Sequence, residues 1–385
     1  MSLSTNTVYR VFVEKLGGAN PSTFVGDEGE VFYNPEIGSL KLSDGTSPGG
    51  ITITEPKSSI LADNRWYVDP ARTDINPATA TGNSMNPFLS ITAALVYIEA
   101  RIADGSLVLS ISGALVQNPQ FIIVKSSTTE NVALTRGNIF IWGDTPDAGH
   151  VPIWINGHVT ITPADSSGNA INVNRFGLFN IAVLPSGAND VVKITGSNPT
   201  KVYLRDTYCY QNNATKSCVY ADNTGTGSRV ELDDCTMARS SGSVYLIDIQ
   251  RGFCSIKNLE TNGTGQVLNQ ANNSTGTMLR SSLDANTGAV ITLSGTTQWG
   301  MGEVILNNTS TAANTYGVSM SDTATMQFGV CTFNIPAAQA TNRAINGGAG
   351  NTVIYANPIF QYGATDKIST AITQLIPLDT TFTAA

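Results

Sequence analysis

"RVELDDCTM", residues 229–237, crowds Glu231, Asp233, Asp234 and Cys235 into five positions of a chain in which 13% of residues are charged. Two readings compete. As chemistry, neighbouring carboxylates can be the acid and base of a glycosidase or can hold Ca2+ for a polysaccharide lyase. As architecture, the same letters are one turn of a repeat, with Leu232 and Cys235 inward, Asp234 turning the chain and Asp233 outward. The choice depends on whether the stretch recurs.

It does. "GLFNIAV" (177–183), "YLRDTYC" (203–209), "ELDDCTM" (231–237), "SIKNLET" (255–261), "LRSSLDA" (279–285), "ILNNTST" (305–311), "QFGVCTF" (327–333) and "IYANPIF" (354–360) align without gaps. With Asn180, Asp206, Asp234, Asn258, Ser282, Asn308, Val330 and Asn357 as anchors, the steps are 26, 28, 24, 24, 26, 22 and 27, a mean of about 25. The residue two before the anchor is Leu178, Leu204, Leu232, Ile256, Arg280, Leu306, Phe328 and Tyr355, and the residue after it is small or apolar. A bend at the anchor turns both columns inward. Asn and Asp suit such a bend, because they tolerate the left-handed conformation and bond their own backbone. Arg280, Val330 and Pro358 break the pattern.

A second strand recurs in each interval: "VVKIT", "CVYAD", "VYLID", "QVLNQ", "AVITL", "YGVSM" and "RAING". The loops between ("NTGTGS", "RSSGS", "TNGTGQ") can hold no core of their own. A period of this size with at least two strands predicts one coil of a parallel β-solenoid per repeat, stacked at ~4.8 Å.

Composition agrees. Gly, Asn, Thr and Ser are abundant and the straight-chain charged residues of helix surfaces are scarce, which predicts an all-β chain. A net charge of −8 without a polybasic run argues against a nucleic-acid partner. No secretory signal and no run of eighteen apolar residues is expected to act, so no membrane insertion is predicted. One helix stands out: Ile91, Ala94, Leu95, Ile98 and Ile102 form an apolar face over about 87–102, ending before Gly105 and suited to cover the first coil. Upstream, Glu30–Tyr33 and Ser39–Leu42 alternate as a hairpin too small to bury a core alone.

The remaining chemical letters read mainly as structure. Asp233 is expected between Arg205 and Lys257 of the adjoining coils, a surface charge ladder. Cys235 and Cys331 share a column four repeats apart, roughly 20 Å, too far to bond. His150 and His158, eight residues apart on an apparent hairpin, match no metal spacing. Trp66, Tyr67, Trp142, Trp154, Tyr203, Tyr208, Tyr210, Tyr220 and Tyr245 are expected to fill coil interiors or subunit contacts. Trp299, in "TTQWGMGE", reads as an exposed loop residue and a candidate for ligand binding. No cofactor or metal is called for. The catalytic candidates left open are Asp206, Glu231 and Asp233.

Two stretches carry a family likeness. "GEVFYNPEIGSLKLSDGTSPGG" resembles the small N-terminal β module of bacteriophage tail-fibre, receptor-binding and other virion proteins. "RWYVDPARTDINPATATGNSMNPFLSITAAL" is similar to the entry segment of pectate-lyase-like right-handed β-helix proteins, although Leu89 and Ser90 stand where Lys or Thr is more usual. The resemblance implies a right-handed parallel β-helix with an N-terminal capping helix and a small hairpin module. It divides the chain into a virion-attachment module (1–56), a linker with entry strand and capping helix (57–106), the β-helix (107–362) and a C-terminal cap or trimer contact (363–385). It further implies a homotrimeric virion protein, built in the host cytoplasm and held to other virion proteins by the module. Such a fibre, spike or appendage would serve host attachment or particle decoration, with a host glycan as a further partner. The alternative it leaves is a tailspike depolymerase, hydrolase or lyase, cleaving host surface polysaccharide.

Overall fold

The computed structural model describes residues 23–25, 27, 31–34, 39–43, 45–49, 51–52, 64–104, 107–111, 114–117, 119–144, 152–163, 174–185, 187–240, 242, 244–263, 265–336, 341–356, 358–361, 368–372 and 374–377. The chain forms two compact units, residues 1–62 and 63–385. In the first, Val31–Asn34 pairs antiparallel with Ser39–Leu42, Val31 facing Leu42, and Ile51–Thr52 adds a third strand beside Lys41 and Leu42. The expected hairpin is present, one strand richer; Glu30 lies outside the described residues.

The second unit is a parallel β-helix. Its first face stacks twelve strands in parallel, from Arg65–Val68 through Arg229–Asp233 to Gln374–Pro377. At ~4.8 Å per step the stack is ~53 Å tall. It begins before residue 107 and ends after residue 362. After a bend, a second face continues from Trp154–Asn156 to Ile359–Gln361. The third face is a sheet of nine parallel strands, seven of which are the recurring second strands read from the sequence.

Register explains why these residues make strands. One inward column of the first face runs Ile122, Ile141, Leu178, Leu204, Leu232, Ile256, Met278, Met301, Phe328, Tyr355. All ten are buried. Each coil therefore adds one apolar side chain directly above the last, and the hydrophobic gain repeats with the backbone ladder.

Two anchors of the sequence alignment move. The bend residues in register are Asn180, Asp206, Asp234, Asn258, Arg280 and Glu303, all with φ between 49° and 55°. Ser282 and Asn308 are not bend residues; they lie in second-face strands, and Asn308 is buried. Between Asn258 and Val330 the steps are 22, 23 and 27, two short coils and then a longer one, in place of 24, 26 and 22. With that shift Met278 and Met301 replace Arg280 and Leu306 in the inward column, and its polar exception disappears. Val330 holds its place, and Asn357 lies outside the described residues.

The helix Ile91–Ala103 covers the first coil with the five residues expected, Ile91, Ala94, Leu95, Ile98 and Ile102, all buried. Its start is doubly fixed. Ser90 accepts from the Ala93 amide at 3.0 Å. The Glu130 carboxylate accepts from the Ile91 and Thr92 amides at 2.8 and 2.9 Å, opposite the positive end of the helix dipole. Ser90, the departure from the entry pattern, is thus the N-cap. The helix begins four residues after Pro87 because Phe88 is held in a parallel bridge to Val68.

Candidate functional site

The outward side of strands 200–205, 229–233 and 253–257 carries the catalytic candidates. Residues alternate across a strand, so Tyr203, Glu231 and Ser255 form one outward column and Arg205, Asp233 and Lys257 the next. Arg205 Nη2 donates to Asp233 at 3.1 Å, and Lys257 Nζ stands 3.8 Å from its other oxygen, an ion pair without a hydrogen bond. Glu231 lies 2.6 Å from Arg229 Nε, and that guanidinium covers the Phe253 ring at 4.5 Å. Asp233 and Glu231 therefore each face a cation.

Asp206 is different. It is a bend residue, exposed, with φ 49°. Partial burial raises its carboxyl above the ordinary range, the Asp234 and Asp233 charges add to the rise, and Arg205 opposes it. Asp234 is engaged in turn by the Asn258 amide, which donates at 2.8 Å. The structure places Asp206, Glu231 and Asp233 on one patch of adjoining coils.

Trp299 is not an exposed loop residue. It lies inside the strand Gln298–Gly302, 2% exposed, in register with Gly276 and Met326. The ring fills the space that Gly276 leaves, since a Cβ on Gly276 would meet it at 1.8 Å. A ligand-binding role for Trp299 is therefore withdrawn.

Of the two places expected for the other aromatics, coil interiors or subunit contacts, the interior is not where most of them lie. Tyr67, Ile123 and Trp142 are in register, on the outer side of the first three coils. Trp142 is 44% exposed, stacked on Phe179 with centroids 5.5 Å apart and 26° between planes. Phe121 stacks on Phe140, and Phe140 meets Phe179. Around the bend, Trp154, Tyr208 and Tyr210 form a second outward group. Tyr203, Tyr220 and Tyr245 are half-buried, none fully inside a coil. Trp66 alone turns inward at the capped end, donating to Gln120 Oε1 and packing on Tyr97. The first-coil aromatics line a cleft of about 400 Å³ with Arg65, Lys125 and Asp144. Lys125 pairs with Asp144 and lies 5.3 Å from the Tyr67 ring centroid.

All five cysteines are buried and free. Burial pushes the Cys218, Cys235 and Cys254 thiols up to about 12 and raises Cys209 and Cys331 as well, which removes the thiolate a nucleophile needs. Cys235 and Cys331 do share a column, through Leu259, Ser281 and Val304. His158 is on no hairpin, because Trp154–Asn156 and Val159–Ile161 belong to different sheets and pair parallel with other coils. His150 lies outside the described residues.

No protein-family model matches the chain, and no curated protein matches it. Among solved structures, it is similar to pectin methylesterase PemA from Erwinia chrysanthemi, at 11% identity and a TM-score of 0.39, over 82% of this chain and 92% of that one. It is also similar to pectate lyase Pel9A, at 13% identity and a TM-score of 0.33, over 83% of this chain and 81% of that one. Likeness at this level carries no chemistry, and the fold described above rests on strand register alone.

Proposed function

We propose that this chain is a bacteriophage virion structural protein, a short trimeric fibre, spike or appendage used in host attachment or particle decoration. The observation that carries the reading is the continuous parallel stack, ~53 Å tall, in which Asp233 and Glu231 face cations and the thiols are sealed in the core. A rod of that kind is a spacer and a display surface. The antiparallel strands at 31–52, in the stretch that resembles virion attachment modules, supply the other half of the argument. Immunogold labelling of intact particles tests it: gold on a defined appendage is expected, and recovery of the protein only outside the particle overturns it. Light scattering should return three times the 40.6 kDa chain mass; a monomer removes the trimer.

A depolymerase is the second reading, favoured by Asp206. A carboxyl whose proton affinity is raised by partial burial and by the neighbouring Asp234 and Asp233 carboxylates is shifted in the direction a glycosidic general acid requires. Incubation with host capsule or lipopolysaccharide decides it. Reducing ends or unsaturated sugars that vanish in Asp206→Asn and Asp233→Ala favour cleavage, and their absence with the unaltered protein removes it.

A further inference from the structure

The two edges of the first face carry opposite charge. Its starting edge holds Arg175, Lys201 and Arg229 in one register column, stacked coil on coil. Its far edge is the bend, where Asp206 and Asp234 stand exposed, with exposed Glu260 two residues past the Asn258 bend. We propose that these edges are the two halves of a contact between copies of this chain. The starting edge of one copy lies along the bend edge of the next, and the copies run parallel. The inference rests on the trimer of the attachment reading and names the surfaces that join it.

Charge carries the first argument. Arg175 and Lys201 on one edge, and Asp206, Asp234 and Glu260 on the other, take part in none of the ion pairs found among the described residues. Lys201 and Asp206 are five residues apart on one strand, ~17 Å. That is about twice the screening length at physiological salt. The two edges therefore do not neutralise each other within a chain, and a neighbour alongside brings them together. Asp206 shows the imbalance: burial, then the Asp234 and Asp233 charges, raise its carboxyl. A neighbour's cation opposes that rise, so the shift belongs to separate chains.

Height along the stack carries the second. Above the cations the starting edge loses its charge, with Thr275, Gln298 and Thr325 in register. On the same three coils the bend edge turns apolar, with Leu279, Ile305 and Val330 50%, 42% and 53% exposed. Arg280 and Glu303 between them pair with each other. Parallel copies set cations against carboxylates below and uncharged residues against the apolar ridge above. Antiparallel copies would bury Arg175 and Lys201 against that ridge, desolvating charge without a partner. Because the two edges differ, the contact is head-to-tail, the kind that closes as a ring, and a trimer satisfies it. An anionic ligand would answer one edge and leave the other.

Sedimentation of the full chain at rising salt reads the contact. The unaltered protein should sediment at three chain masses and dissociate more readily as salt rises. Arg175→Glu with Lys201→Glu should sediment as one 40.6 kDa chain where the unaltered protein is trimeric, its dissociation concentration raised about tenfold or more. Asp234→Arg with Glu260→Arg should do the same; Arg280 holds the same bend conformation, so arginine is accommodated there. All four changes together exchange the signs of the two edges and should restore the trimer. Circular dichroism should match in every variant. Zero-length carbodiimide coupling adds position: Lys201 should be linked to Asp206 or Asp234 in the trimer and to neither in the Asp234→Arg, Glu260→Arg chain. Lys257, 3.8 Å from Asp233 in its own chain, is the internal control. A trimer that survives both double reversals, or a combined variant that stays monomeric while folded, overturns these edges and leaves the trimer standing. A monomeric unaltered protein removes the trimer and this contact with it.

Discussion

The two halves of the β-helix use their rings in opposite ways. From residue 65 to 211 the interior is filled mainly by Ile, Val and Leu, while Tyr67, Phe121, Phe140, Trp142, Phe179, Trp154, Tyr208 and Tyr210 stand on the outside. From residue 299 to 355 the rings go mainly in, with Trp299, Phe328, Phe333 and Tyr355 buried and Tyr316 half-buried. The outside there carries ladders of amides and carboxylates such as Asp284, Asn307 and Asn334. The same coil cross-section serves both, so interior volume is balanced within a column: where one strand brings Trp299, its neighbour brings Gly276. Rings in the second half are packing. Most rings in the first half are outward, with Phe88 and Phe176 the buried exceptions.

Paired tryptophan variants test that difference most sharply. Trp299→Ala empties a buried site and should cost about 3–5 kcal/mol. Trp142→Ala removes one exposed stack on Phe179 and should cost about 1 kcal/mol. Denaturant midpoints measure both, and equal losses would break the comparison. Gly276→Ala approaches the first value from the other side, since its Cβ would lie 1.8 Å from the Trp299 ring and overpacking costs about 1–3 kcal/mol. Combined with Trp299→Leu it should recover part of the loss, a coupling expected of residues in contact.

How much of this was legible follows the same divide. The inward columns could be read wherever β-branched and aliphatic residues alternate, as in "YLRDTYC" and "RVELDDCTM", and seven of the nine third-face strands could be read. The alignment slipped at "TGTML" and "QWGMG", where Gly276 takes an inward position that neighbouring coils fill with an apolar side chain, Gly300 and Gly302 stand outward, and the strands look like loops. An inward methionine in each, Met278 and Met301, was the available signal. The capping helix was legible from its period, but its Glu130 cap was not, because it arrives from 38 and 39 residues downstream. The cleft was hidden for the same reason: Tyr67 and Trp142 meet only through the register of coils of unequal length. Outward charge could be placed, as at Asp233, because a ladder needs only the period.

The bends separate the halves a second time. Asn180, Asp206, Asp234 and Asn258 are residues that tolerate positive φ, whereas Arg280 and Glu303 hold the same conformation without that aptitude. Glu303→Gly should therefore stabilise by about 0.5–1 kcal/mol, after loss of its exposed ion pair with Arg280 is set against the gain. Asn180→Gly should gain nothing, since it gives up the bond from its amide to the Gly143 carbonyl. If both glycine variants shift the thermal midpoint equally, the bends are equivalent and this second contrast fails.

At the border, the ladder around Asp233 should be worth little. Asp233→Ala is expected to cost about 0.2–1 kcal/mol, less in high salt, because its partners are exposed. The smallest effect belongs to Asp206. Its folded carboxyl binds a proton more tightly than the ordinary aspartate does, so deprotonation favours the unfolded chain and stability falls as pH rises through the carboxylate range. Asp206→Asn should then melt slightly higher than the unaltered protein at pH 7, with the difference fading once the pH drops below both the unfolded and folded carboxyl values. Melting curves from pH 3 to pH 7 check the sign. A variant that melts lower at pH 7 would mean that Arg205 outweighs burial and the Asp234 and Asp233 charges at this bend, so that the carboxyl is not raised. The depolymerase reading would then lose the observation at Asp206 that favours it.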